Sequence, residues 1–83
     1  MNAATPILHQ LDVRGLEPPE PMERVLEALD SLPDGDHLCM LIEREPRPLY
    51  RILAHNGYGY NTTVLPDFLY QVRIWRRAPE PDA

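Results

Sequence analysis

LDVRGLEPPEPMERVLEAL, residues 11–29, holds the end of a strand, a turn and most of a helix. Met22, Val25, Leu26 and Leu29 recur at helical spacing, and Leu32 continues the stripe. Glu20, Glu23, Glu27 and Asp30 fall off it. Pro19 and Pro21 stand where a helix tolerates proline, because first-turn N–H groups have no intrahelical acceptor. Glu20 and Glu23 complement the positive end of the helix dipole. The spacing predicts a helix from about Pro19 to Leu32, closed by the turn Pro33-Asp34-Gly35.

The rest of the chain falls into place around that helix. Ile7–Val13 reads as a first strand, broken by Arg14-Gly15. His37–Glu43 (HLCMLIE) is a dense apolar run whose length and bounding turns favour a central strand. Glu45-Pro46-Arg47-Pro48 opens a shorter helix with Leu49, Ile52 and Leu53 on its buried side and Asn56-Gly57 as its stop. Tyr58–Leu65 and Phe68–Trp75 read as a hairpin joined at Pro66-Asp67. In its second strand Phe68, Tyr70, Val72 and Ile74 alternate with Leu69, Gln71, Arg73 and Trp75.

The order β-α-β-α-β-β contains two strand–helix–strand units, and right-handed crossovers put both helices on one face. The expected fold is an α/β (α+β) two-layer sandwich with a four-stranded mixed sheet. Two helices leave the other sheet face open. With Phe68, Tyr70, Val72 and Ile74 inward, that face carries Gln71, Arg73 and Trp75, a candidate contact surface. Residues 7–77 form one domain, because 83 residues cannot fill a second core. Residues 1–6 and the acidic, proline-rich residues 78–83 are expected to be flexible tails. No internal repeat is expected.

Composition narrows the function classes. Hydrophobic residues make up 43% of the chain, too many for a disordered protein. Thirteen acids against eight bases, all arginine, give a net charge of −5, which opposes non-specific binding to nucleic acid or to an anionic membrane. Cys39 is the single cysteine, so no internal disulfide forms, and a cytoplasmic location is expected. His9, His37 and His55 lack the spacing of a metal site, although His9 and His37 are expected to be neighbours on adjacent parallel strands. No metal or cofactor is expected.

The loops after the first two strands hold the candidate binding residues, since ligands of α/β folds gather at strand carboxyl ends. Arg14, Arg44 and Arg47 converge there as a candidate small-anion or partner-acid site, with Glu17 and Tyr50 nearby. The competing account is a local ion-pair cluster of Arg44 and Arg47 with Glu43 and Glu45. Two alternatives lie elsewhere. Cys39 is a candidate for a sulfur or redox role, although a mid-strand thiol is usually inert packing. Arg73, Arg76 and Arg77 beside Trp75 form a basic, aromatic patch of the kind that stacks on bases.

Leu11, Asp12, Arg14, Gly15 and Leu16, followed by Pro19, Glu20 and Pro21, resemble the opening of the TusA/SirA-like sulfur-carrier family. In that family a Cys-Pro-x-Pro motif stands at the mouth of the first helix. The stretch EREPRPLYRIL, residues 43–53, is similar to a segment of a cysteine-less sister group of unknown function. The resemblance spans about residues 8–76 and implies a two-layer α/β sandwich. It also implies a sulfur-accepting thiolate at the position of Pro18, and proline has none. Pro18, Pro19 and Pro21 offer no N–H donors, and Glu17, Glu20 and Glu23 add negative charge. The expected protein is therefore not an enzyme. It is a protein-interaction or small-ligand-binding module, with a protein partner or a second copy of itself, in a setting of sulfur or redox metabolism that only the resemblance implies. Pro18 and Glu20 join its candidate contact residues.

Overall fold

A computed structural model describes residues 6–77. The expected flexible tails, 1–6 and 78–83, lie outside the described residues except for Pro6. The elements run β1 (Leu8–Asp12), α1 (Glu20–Asp30), β2 (His37–Ile42), α2 (Arg47–His55), β3 (Tyr58–Leu65) and β4 (Leu69–Arg76). The expected order holds, with boundaries within a residue or two.

The sheet is mixed, with strand order β1-β2-β4-β3. β1 pairs parallel with β2, Leu11 opposite Met40. β4 pairs antiparallel with both β2 and β3. Along β2, every second side chain is buried: Leu38, Met40 and Ile42. Val72 and Ile74 of β4 stand beside them, and Val25, Leu29, Leu49 and Leu53 of the two helices complete the core. Both helices cover this face, and among the described residues no layer covers the opposite one.

Phe68 departs from expectation. It is not an inward strand residue but part of the hairpin turn, with φ 61° after Asp67 at φ 66°, and it is 88% exposed. Leu65 and Leu69 pair directly, so three residues must reverse the chain between them. Such a loop closes through left-handed backbone, which asparagine and aspartate adopt more readily than phenylalanine. Tyr70, Val72 and Ile74 do face inward, as the alternation predicts.

Two long-range devices lock the layers. Arg76, the last residue of β4, reaches under α1 and donates from Nη1 to the Leu32 carbonyl (2.6 Å) and from Nη2 to the Leu29 carbonyl (3.2 Å). It also pairs with Asp34. Arg77 donates from Nη2 to the Ala54 carbonyl near the end of α2 (3.1 Å). Leu32 lies just past α1 and Ala54 in the last turn of α2, where carbonyls lack an intrahelical donor, and Leu29 O, which already accepts from Leu32 N (3.2 Å), gains a second bond. On the open face the Trp75 indole lies over Gly59, where an added Cβ would come within 2.6 Å of the indole Nε1.

Arg76→Met keeps the apolar stem and removes the donors. It is expected to lower unfolding free energy by about 1.5–3 kcal/mol in urea titrations, the range for hydrogen bonds to charged groups. Gly59→Ala forces the indole off the sheet and is expected to cost about 1–3 kcal/mol, with a change in tryptophan fluorescence.

Candidate functional site

β1 and β2 deliver their carboxyl ends side by side, and each leads into a helix that starts on Pro-x-Pro. After β1 the ladder runs on, with Val13 N donating to the Leu41 carbonyl (3.0 Å). The chain turns at Gly15, whose φ of +81° is left-handed. Gly15 N donates to Glu43 Oε2 (2.9 Å), which ties the turn to the end of β2 and holds the Glu43 carboxyl below its ordinary range. Pro18-Pro19 is a cis peptide. Pro19 occupies the N-cap of α1 and Pro46 that of α2, neither with a side-chain cap.

The two openings share more than prolines. PEPMERVL (19–26) and PRPLYRIL (46–53) have Pro, Pro, Arg and Leu at matching positions. The repeat is short, and its acids and aromatics differ, so the sequence does not present it as an internal repeat. The burial also differs: Val25 and Leu29 turn inward in α1, Leu49 and Leu53 in α2.

Between these openings lies a groove of about 680 Å³. Met40, Ile42 and Leu49 form its base, and Leu16, Met22 and prolines 18, 19, 21, 46 and 48 its walls. Glu17, Glu43, Arg44 and Glu45 ring it. A second, shallower depression adjoins it along α1, lined by Glu17, Glu20, Glu23, Arg24 and Glu27. The surface here is an apolar trough with a strongly acidic flank.

Glu17 and Pro18 line the trough, and Glu20 sits on the acidic flank, paired with Arg24 at 3.3 Å. The three arginines do not form one cluster. Arg14 grips Asp12 with a two-pronged contact, Nε to Oδ1 (2.9 Å) and Nη2 to Oδ2 (2.8 Å), and holds its carboxyl at about 2. Arg47 turns to Glu45 (3.3 Å). Arg44 alone of the three lines the groove. Tyr50 lies on the far side of α2: its hydroxyl meets Thr62 Oγ1 (2.7 Å) and donates to Glu45 Oε2 (3.2 Å), and its ring stacks on Tyr60 (4.5 Å). Burial raises the Tyr50 hydroxyl. The residue braces α2 against β3.

On the open face Gln71, Arg73 and Trp75 lie in one row along β4, as the alternation predicts. Arg73 Nε donates to His37 Nδ1 (2.9 Å), and the His37 ring stacks on Trp75 (5.4 Å). Cys39 faces Arg73 across the strands, and burial pushes its thiol up. That shift disfavours a thiolate. Arg76 and Arg77 do not extend the Arg73 row, because both turn to helix ends.

His9 and His37 are not neighbours. The parallel register sets His9 beside Leu38 on the covered face and His37 on the open one. His9 Nε2 instead meets Asp36 Oδ2 (2.8 Å), and Asp36 also accepts from Ile7 N (3.0 Å). Among the described residues no three His, Cys, Asp or Glu side chains are placed to hold a metal ion. No helix among them is long and apolar enough to cross a membrane.

Residues 10–76, from β1 to the last residue of β4, match the family described as uncharacterized conserved protein (DUF2249). The chain belongs to that family. No curated protein and no solved structure matches it. The matched span contains both Pro-x-Pro openings and the whole sheet but for the first two residues of β1, so the trough belongs to the part of this DUF2249 chain that the family describes.

Asp36 titrates below its ordinary range because of His9 and the Ile7 N–H, and Asp12 because of Arg14. Both carboxyls are depressed in the folded state, so their stabilisation is complete above about pH 4 and is lost as pH falls through the folded values, about 2 for Asp12. Melting temperatures followed by circular dichroism are expected to drop over that window. Asp36→Asn is expected to lower the midpoint at neutral pH and flatten part of the acid dependence.

Proposed function

We propose that this domain is a non-catalytic binding module whose trough takes a protein segment presenting an apolar side chain flanked by arginine or lysine. The observation that carries this is the composition of the trough, an apolar base and proline walls bordered by Glu17, Glu43, Glu45 and the acidic side of α1. Apolar pockets supply anchor sites, and a charged rim sets partner choice and association rate. Proline walls lose little entropy on binding, because their backbone is already restricted. A small anion is a poorer fit, since Arg14 and Arg47 are engaged by Asp12 and Glu45.

The likeness to the sulfur carriers of the TusA/SirA type supports a place for the domain beside sulfur or redox proteins. It also supports the absence of covalent chemistry, because Pro18 stands where those proteins hold their reactive cysteine. Cys39 is a weak substitute: it lies on the opposite face from the trough and its thiol is raised.

Two experiments test the proposal. Incubation with a cysteine desulfurase and free cysteine is expected to leave the intact mass unchanged; a reducible gain of one sulfur atom would make the domain a carrier through Cys39. Peptide-library selection is expected to enrich apolar residues next to basic ones. Binding of the selected peptides should weaken about tenfold with Glu17→Arg/Glu23→Arg, mainly through slower association. It should be lost on filling the trough with Met22→Trp. Selected peptides indifferent to both variants would refute the trough as the site.

A further inference from the structure

The two edges of the sheet are built differently. β1 is short, five residues, and carries the Asp12–Arg14 pair at its end. Short, charged edges resist pairing with other chains. β3 is eight residues, YGYNTTVL, without a charge, a proline or a bulge, in a chain of net charge −5. Among the described residues no strand pairs with its outer side.

The direction of its free groups follows from the hairpin. Arg77 N donates to the Gly57 carbonyl (2.8 Å), and the register continues Tyr58 with Arg76, Gly59 with Trp75. Odd-numbered residues of β3 therefore exchange hydrogen bonds with β4, and the N–H and C=O groups of Tyr58, Tyr60, Thr62 and Val64 point outward. The same residues place their side chains on the helix-covered face. Tyr60 and Val64 are left 38% and 69% exposed there.

We propose that β3 pairs antiparallel with β3 of a second copy, about a two-fold axis perpendicular to the sheet at Thr62. Such an axis keeps both helical layers on one side and opposes residues of like parity. Thr62 then meets Thr62, and Tyr60 and Val64 of one copy meet Val64 and Tyr60 of the other. Each exposed apolar residue is covered by its complement, an aromatic opposite a β-branched side chain. The uncharged strand lets two acidic chains meet without like charges opposed. The edge is thus self-complementary in hydrogen bonding, apolar contact and charge, which makes a second copy the fitting occupant.

Sedimentation velocity and light scattering on the full chain are expected to give twice the 9.6 kDa chain mass. Val64→Lys puts a charge on the axis-flanking pair, and Val64→Pro removes an N–H that points away from β4. Both are expected to halve the mass and to leave the far-ultraviolet circular dichroism unchanged, because Val64 is exposed and its N–H serves no bond among the described residues. A wild-type protein that stays monomeric at every concentration overturns the proposal and leaves the edge to a strand of another protein. A dimer that survives both substitutions also overturns it, and assigns association to another surface such as the open face around Trp75.

Discussion

One-sided burial of the four-stranded sheet is the constraint on which the rest of the molecule depends. Leu38, Met40 and Ile42 of β2 and Val72 and Ile74 of β4 form the floor of a core that α1 and α2 roof. Among the described residues the two helices pack on one face, so that face is buried and the other must be made tolerable to water. Trp75 over Gly59, His37 stacked on that indole, and Arg73 hydrogen-bonded to His37 do this on the open face. They cover apolar sheet with one large ring and keep its rim polar. The outward alternation of β4 therefore has a structural use that requires no partner.

The same constraint fixes where a site can form. Two parallel strands, each leading into a helix on one face, bring two helix openings together above the ends of β1 and β2. With Pro19 and Pro46 at the N-caps and Pro21 and Pro48 two residues further in, both openings are poor in N–H donors. A helix mouth normally attracts anions through those donors and the dipole. Here the prolines remove part of the attraction, and Glu17, Glu43 and Glu45 occupy the positive end. What is left is an apolar trough with an acidic border.

How much of this was legible depends on the range of the interaction concerned. Strand and helix positions follow from periodicities within a dozen residues, and all six elements were readable, as was the inward set Tyr70, Val72 and Ile74. Phe68 reads as a strand residue because alternation continues smoothly through it; only the pairing of Leu65 with Leu69 shows that the turn must claim it. The direction of long side chains was not legible at all. Arg76 and Arg77 read as a basic patch with Trp75, yet helix carbonyls more than twenty residues away hold both. The expected meeting of Arg14, Arg44 and Arg47 failed for a local reason. Asp12 and Glu45, each two residues from its arginine, capture Arg14 and Arg47 at a much smaller entropic cost than a distant site would require.

These arginine commitments also decide the electrostatic character of the surface. Six of the eight arginines donate within the chain: Arg14, Arg24 and Arg47 to acids, Arg73 to His37, Arg76 and Arg77 to helix ends. Arg77 donates to a carbonyl, and Arg76 donates to two carbonyls and to Asp34 alone among the carboxylates. Arg44 and Arg51 are the remaining two. The acids of α1 outnumber the cations beside them, since Glu20 meets Arg24 while Glu23, Glu27 and Asp30 have no ion-pair partner among the described residues. The acid excess of the described residues is thus not spread evenly but gathers along α1 beside the trough, while β3 carries no charge. A chain that keeps its arginines for its own helix ends and local acids leaves the long-range field to its carboxylates, and that field favours cationic partners at one surface and is silent at the other.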